Sequence, residues 1–252
     1  MLPAEHGGWG LTLEPALLGL LVAPSVAGAC IALGAVVAFL VRTPLRIAAV
    51  DRRRGRKLDR THLARRVALV ELALLAVLGA ASLALGEPRF WVPLLVAVPM
   101  LGVAASFEVR SRGRRLIPEL AGAVGVCSVA SMIVLADGGT GRLAAGVWLV
   151  LAGRVVTSIP HVRGQIARLH HRPSSAQVTL AGDAAAVALG LAAVGLEQGL
   201  GAGALAVCAV VVAQRVADRR PVPRPAVLGM RQMAMGFAVV LATAIGVLAH
   251  AS

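Results

Sequence analysis

The sequence predicts an all-α polytopic membrane protein, a bundle of about nine transmembrane helices that forms a single domain over residues 1–252. Hydrophobic residues make up 58% of the chain and charged residues only 15%. The mean hydropathy is +0.82. This composition is typical of chains whose helices lie in lipid.

Nucleic acid is excluded as a partner, although the formal net charge is +13. The chain has no Tyr to stack on bases, and its positive charges are concentrated in a few stretches between apolar segments. Membrane lipid, with its anionic headgroups, is therefore the expected partner.

Nine stretches are apolar and long enough to be helices within a bilayer. The first is short and is interrupted by Glu14 and Pro15. The nine lie near residues 9–22, 25–50, 64–86, 90–107, 116–136, 142–160, 177–196, 201–217 and 227–249.

Basic residues orient these helices. The segment 42–66 holds ten Lys or Arg, and we interpret it as a loop; with three later turns it accounts for 23 of the 25 basic residues. Short basic loops stay on the cytoplasmic side. We therefore expect a multi-pass protein of the plasma membrane, with the N-terminus in the cytoplasm and the C-terminus outside.

Two of the cytoplasmic helix ends are similar in sequence. RTPLR lies where the second helix meets the cytoplasm and TSIPHVR where the sixth does, which places Pro44 and Pro160 116 residues and four predicted helices apart. That spacing is typical of a parallel internal repeat.

Charged residues within the predicted spans indicate a polar pocket. Such residues usually face the interior of a bundle or a wet cavity. Counted at 1.5 Å per residue, most of them lie about 10 Å from the cytoplasmic end of their helix. We expect a pocket that opens to the cytoplasm, with plain structural ion pairs as the alternative. Its polar groups would be Glu5, His6, Glu14, Glu71, Glu119, Arg154 and Asp183.

One face of the sixth helix would line this pocket, because six polar residues follow one another at steps of three or four. They are Arg154, Ser158, His161, Gln165, Arg168 and Arg172. The planar guanidinium of Arg offers paired donors that suit phosphate. We hypothesise that the phosphate or diphosphate of an isoprenoid or phospholipid binds to Arg42, Arg46, Arg154, Ser158, His161 and Arg163.

The sequence predicts no metal site and no cofactor. Cys30, Cys127 and Cys208 each lie in an apolar run, without the spacing of metal ligands. No nucleotide-binding, zinc-protease or hydrolase motif is present. No catalytic residue is identified.

PAEHGGWG, from Pro3 to Gly10, resembles the opening of the YwiC-like family of bacterial integral membrane proteins, which begin with a Pro-x-x-His-Gly-x-Trp pattern. The resemblance extends through RTPLR, TSIPHVR and VLGMRQM. It implies a membrane location and an architecture, but no reaction.

The helix plan also resembles that of UbiA-type prenyltransferases, whose two Asp-rich cytoplasmic loops hold magnesium and a prenyl diphosphate. Here the first such loop offers only Asp51 and Asp59, and the second has no acid. If the chain is an enzyme, the resemblance implies a transferase that lacks the magnesium motifs, so magnesium is unsupported and Arg and His would neutralise the diphosphate directly.

Three functions remain open. The favoured one is binding or processing of an anionic isoprenoid or lipid phosphate, because the buried charges cluster on one side. The second is a small-solute or proton-coupled transporter, in which Glu14, Glu71 and Asp183 form a relay. The third is a non-catalytic membrane partner that would tolerate changes of the buried charges.

Overall fold

The computed structural model describes residues 6–55, 59–110 and 115–251, and in these ranges it contains nine α-helices and no β-strand. The described residues thus confirm the all-α class. Short 3₁₀ turns at Pro88–Trp91 and Gln198–Leu200 precede the fourth and the eighth helix. The helices are α1 His6–Val22, α2 Val26–Arg53, α3 Asp59–Leu85, α4 Leu94–Val109, α5 Leu116–Ala136, α6 Gly141–Leu169, α7 Ala176–Leu196, α8 Gly201–Asp218 and α9 Pro225–Ala251.

Helices α2 to α9 account for the candidate membrane spans. Eight segments in the described part of the chain are long and apolar enough to cross a bilayer, and α1 is a shorter apolar helix. Helix α1 nevertheless continues through Pro15. Eight of the nine predicted stretches therefore have the length of a full span, and the first does not reach it.

The prediction of a loop over residues 42–66 is wrong for most of that segment. Helix α2 runs through Pro44 to Arg53, and α3 begins at Asp59. The reason is that the charged residues here are mostly Arg, a good helix former, so a helix need not end where its apolar stretch ends. Helix α6 likewise continues through Pro160 to Leu169.

Two compact units make up the chain, Met1–Gly138 and Gly139–Ser252. We call them unit 1 and unit 2. The single-domain organisation of the whole chain stays a prediction. In unit 1, α5 packs against α1, α2 and α4, while α2 lies along α3. Trp9 of α1 also contacts Phe39 of α2 edge-on, with ring centroids 5.2 Å apart.

Unit 2 is built around α6, which contacts α7, α8 and α9. The most apolar stretch of α6 is 72% buried, against 22% for α7. Helices α6 and α7 approach so closely that a Cβ added at Gly182 would lie 2.5 Å from the carbonyl oxygen of Val156. The close contact places side chains of α7 directly against the polar face of α6.

A Schellman motif ends α6 and turns the chain toward α7. The backbone N–H of Arg172 donates to the carbonyl of Ala167 at 2.8 Å, and that of His171 to Arg168 at 3.1 Å. His171 has a φ of +52°, in the left-handed region that favours glycine. This tight end brings the first turn of α7 beside the end of α6.

Candidate functional site

The polar face of α6 lies in the interior of unit 2. Four of its predicted residues are buried, and Arg168 lies at the exposed end of the helix. Arg172 follows the end of α6 and is exposed, so the helical face ends at Arg168 and does not include this last predicted member. The buried members are Arg154, Ser158, His161 and Gln165.

Helices α7, α8 and α9 supply partners to the inner part of this face. The hydroxyl of Thr157, also on α6, donates to Oδ1 of Asp183 at 2.5 Å and lies 3.0 Å from Oε1 of Gln214. The Gln214 amide donates in turn to Oγ of Ser158 at 3.0 Å. Nη2 of Arg154 donates to the backbone carbonyl of Gln232 on α9 at 2.6 Å. The inner part is a hydrogen-bonded network that includes all four helices.

At the outer end of the α6 face, several side chains contact the carboxylate of Asp218, the last residue of α8. Its Oδ1 accepts from Nε2 of Gln165 and from Nη2 of Arg168, each at 2.9 Å. Nδ1 of His161 lies 3.3 Å from the same oxygen. Nη1 of Arg215 lies 3.5 Å from Oδ2. Four side chains therefore converge on one carboxylate.

Arg215 joins the two parts of the network. Its Nε donates to Oδ2 of Asp183 at 2.6 Å, while Nη1 faces Asp218. Charge-assisted pairs of this kind are stronger than neutral hydrogen bonds. The two carboxylates of the network, Asp183 and Asp218, are thus linked through one guanidinium.

A cavity of about 180 Å³ lies beside Asp218. It is bounded by the end of α6, the first turn of α7 and the end of α8, and the two basic turns of unit 2 lie at this same end. Ser175 caps α7, its Oγ accepting from the backbone N–H of Val178 at 3.4 Å. The lining residues are His161, Gly164, Arg168, Ser174, Ser175, Ala176, Thr179, Arg215 and Asp218.

Two polar atoms at the outer end of the α6 face are buried without a hydrogen-bond partner, and the residue of the first also lines the cavity. One is Nδ1 of His161, which lies close to Asp218 without hydrogen-bond geometry. The other is Oε1 of Gln165. A buried polar atom without a partner destabilises the fold, so such atoms are candidates for contact with a ligand or water.

Arg42 and Arg46, predicted to bind phosphate, lie in unit 1 and contact a carboxylate there. Nε of Arg42 donates to Oε2 of Glu108 at 2.8 Å, and Nη1 of Arg46 lies 3.9 Å from Oε1. Both arginine side chains are about half exposed, at 52% and 51%. Arg163 in unit 2 is half-buried and does not line the cavity.

The remaining predicted pocket residues of unit 1 occupy different environments. Glu14 is buried in α1, Glu71 is half-buried on α3, and Glu119 is exposed at the start of α5. Oε2 of Glu71 is buried and has no hydrogen-bond partner. Glu5 and the side chain of His6 lie outside the described residues.

Sequence reasoning missed the contributions of Glu108 and of α8. Gln214, Arg215 and Asp218 were counted only as part of a span or a basic turn. A signal was present, because Gln214 lies inside an apolar span and Asp218 follows it at i+4, on the same helix face. Within the described ranges, no group of three or more His, Cys, Asp or Glu side chains is arranged to hold a metal ion.

Comparison with known proteins identifies one family. A sequence model described as YwiC-like protein matches residues 2–134. The match covers PAEHGGWG and RTPLR, whereas TSIPHVR and VLGMRQM lie beyond it. No curated protein and no solved structure matches the chain.

Proposed function

The chain belongs to the YwiC-like family of membrane proteins, and we propose that it binds the phosphate of a lipid or isoprenoid in the unit 2 cavity. It is a multi-pass membrane protein by the length and apolarity of its helices. Location in the plasma membrane, with the cavity open to the cytoplasm, is part of the proposal. The observation that carries it is the convergence of His161, Arg168 and Arg215 on one cavity.

The charges of the cluster support an anionic ligand. The cluster contains three arginines, Arg154, Arg168 and Arg215, and two carboxylates, Asp183 and Asp218, so it carries a formal excess of one positive charge with His161 neutral. In a poorly hydrated site, charge-assisted hydrogen bonds to a phosphate are stronger than in water. A neutral or cationic headgroup would gain much less.

The first turn of α7 adds donors of a different kind. The first backbone N–H groups of a helix have no partner within the helix, and its dipole places partial positive charge there. Three hydroxyl residues, Ser174, Ser175 and Thr179, line the same wall of the cavity. Together with two guanidinium groups, this wall has the donors of a phosphate site.

The outward face of α7 supports a ligand with an apolar tail. Leu180 and Leu191 are 58% and 69% exposed, and Val187 is also exposed. In a bilayer this face contacts acyl chains, and it begins one turn from the cavity wall. A lipid whose headgroup lies in the cavity could extend its tail along α7.

Lipid analysis of the purified protein tests the proposal. Wild type, Arg168→Ala and Arg172→Ala would be purified from the same membranes, and their bound lipids measured by mass spectrometry. We expect phosphate-bearing lipid to be enriched in the wild type and to fall about tenfold in Arg168→Ala, for the loss of a charged hydrogen bond. Arg172 is the matched control, because it is exposed and does not line the cavity.

The absence of any enriched phosphate-bearing lipid in the wild type would refute the proposal. Equal losses in Arg168→Ala and Arg172→Ala would also refute it, since both variants remove one exposed positive charge. Arg154→Ala is less informative, because Arg154 is only 4% exposed and contacts the backbone of α9.

A proton- or cation-coupled transporter is the second candidate. The polar face of α6 from Arg154 to Arg168 extends for about 21 Å at 1.5 Å per residue, from the interior of unit 2 to the exposed end of the helix. Polar chains of this length can serve as ion pathways. Uptake into liposomes that depends on a pH gradient and is lost in Asp183→Asn would favour this function over lipid binding.

A further inference from the structure

We propose that Asp218 competes with the bound phosphate for the same donors, and that it restricts the cavity to phosphates with two negative charges. The inference rests on the proposed function and deepens it, because it names the class of headgroup. A phosphomonoester or diphosphate would bind at least about tenfold more tightly than a phosphodiester. Asp218 is in this sense a specificity-determining residue.

The contacts of Asp218 are those that a phosphate in the cavity would need. Its carboxylate accepts from Gln165 and Arg168 and lies near His161 and Arg215. Three of these four partners also line the cavity. A phosphate oxygen that binds to the guanidinium groups must therefore replace at least part of the Asp218 contacts.

The position of Asp218 allows this replacement. It is the last residue of α8, its side chain is 28% exposed, and the turn before α9 follows it. Asp183, by contrast, has a side chain that is only 12% exposed, and Thr157 and Arg215 hold it from two sides. Of the two carboxylates, Asp218 is the one that a small rotation can release to solvent.

The charge of the phosphate decides whether it can displace the Asp218 carboxylate from these donors. A phosphodiester carries one negative charge, as the carboxylate does, so the exchange gains little Coulomb energy. A phosphomonoester carries close to two charges at neutral pH. It gains more from the same donors, and Nδ1 of His161, which is buried without a hydrogen bond, is placed to add another contact.

Neutralising Asp218 should relax this preference. Phosphatidic acid is a phosphomonoester and phosphatidylglycerol a phosphodiester. Binding of each would be measured in phosphatidylcholine nanodiscs at about pH 8, where the monoester is doubly charged. We expect the wild type to prefer phosphatidic acid by about tenfold or more, and Asp218→Asn to bind phosphatidylglycerol about tenfold more tightly than the wild type does.

Asp137→Asn is the matched control. Asp137 is an exposed residue at the end of α5 in unit 1, so this variant makes the same change in net charge. It should retain the preference of the wild type. Relaxation by both variants would mean that net charge alone, and not Asp218, sets the selectivity, and would overturn the inference.

The remaining outcomes separate the inference from the proposed function. If the wild type binds neither lipid above the phosphatidylcholine background, the proposed function fails. If the wild type binds phosphatidic acid and Asp218→Asn keeps the same preference, only the inference fails. If Asp218→Asn does not fold, Asp218→Ser is measured in its place. Loss of folding in both variants overturns the inference, because a ligand could not then displace Asp218.

Discussion

The two units share one order of helices, which begins with the long helices α2 and α6, and they differ in the polar groups that these two helices carry. From α2 onward, unit 1 contains a long helix, a second helix, a 3₁₀ turn and two further helices, and unit 2 repeats this order from α6. Pro44 is the nineteenth residue of α2, and Pro160 is the twentieth of α6. The pairings also repeat, with α2 on α3 and α4 on α5 in unit 1, and α6 on α7 and α8 on α9 in unit 2.

Each unit also has an acid near the end of the helix that follows its 3₁₀ turn, α4 or α8. This acid contacts an arginine of the long helix, α2 or α6. Glu108 of α4 contacts Arg42 and Arg46 of α2 in unit 1, and Asp218 of α8 contacts Arg168 of α6 in unit 2. This is the order that a parallel repeat requires.

The polar network distinguishes the units. In unit 2 the acid at the helix end belongs to a network that includes buried groups on four helices. In unit 1 the partners of Glu108 are two arginines whose side chains are half exposed. The buried Glu14 of unit 1 lies on α1, which has no counterpart in unit 2. Unit 1 also buries an acid of its long helix, Asp51 of α2, which accepts from Arg60 and Thr61 of α3. The comparison teaches that one order of helices can carry local pairs such as these or a network that joins four helices, as in unit 2.

The largest difference between the units should come from removing their acids. Asp183→Ala should lower the free energy of unfolding by about 3 kcal/mol, because it leaves Thr157 and Arg215 without their buried acceptor. Breaking a fully buried ion pair costs about 3–5 kcal/mol, and the expected loss is at the lower end of that range because the Arg215 side chain is 34% exposed. Unfolding in mixed micelles by titration with dodecyl sulfate, followed by circular dichroism, would measure it. A loss below about 1 kcal/mol would show that the network contributes no more than a surface pair.

The contact between the long helix and the helix that follows it should tolerate an added methyl group less well in unit 2, between α6 and α7, than in unit 1, between α2 and α3. Gly182→Ala should cost about 2 kcal/mol, because the new methyl group would overlap the carbonyl of Val156 and push α7 from α6. In unit 1, Gly34→Ala should be nearly neutral, since its Cβ would lie 3.6 Å from the nearest atom of Leu75. Both would be measured as changes in the dodecyl sulfate midpoint.

Gly195→Ala is the control within α7, because a Cβ at that position has no other atom within 4 Å. It should be neutral or slightly stabilising, as Ala favours a helix over Gly. If Gly182→Ala behaves like Gly195→Ala, the close approach of α6 and α7 is not what positions Asp183.

The turn between α6 and α7 offers a smaller, stabilising change. His171→Gly should raise the stability by about 1 kcal/mol, because glycine has no penalty at a φ of +52°. Thermal unfolding followed by circular dichroism would record a higher midpoint. His170, whose φ is −100°, provides the control: His170→Gly should not raise the midpoint.

The smallest effect should come from the exposed pair of unit 1. Glu108→Ala should cost less than about 1 kcal/mol, because Arg42 and Arg46 remain solvated when they lose their partner. Added salt should reduce even this cost, since exposed charges are screened. A loss as large as that of Asp183→Ala would remove the distinction drawn between the two units.

Much of the fold could be predicted because hydropathy and helical periodicity are local. The nine apolar stretches match nine helices of the described residues in order, and α5 agrees with its prediction at both ends. The steps from Arg154 to Arg168 also placed these side chains on one face of α6. The second and sixth apolar stretches, 25–50 and 142–160, end before their helices, which continue to Arg53 and Leu169, because apolarity reports the bilayer and not the end of a helix.

The sequence by itself determined that the chain is a multi-pass helical membrane protein and that one face of α6 is polar, since both follow from residues close together in the chain. Only the tertiary structure decided which charges meet. Glu108 contacts Arg42 across 66 residues, and Asp218 contacts Arg168 across 50. Such pairs depend on which helices pack together and on their rotation about their axes, and no local pattern of the sequence contains that information.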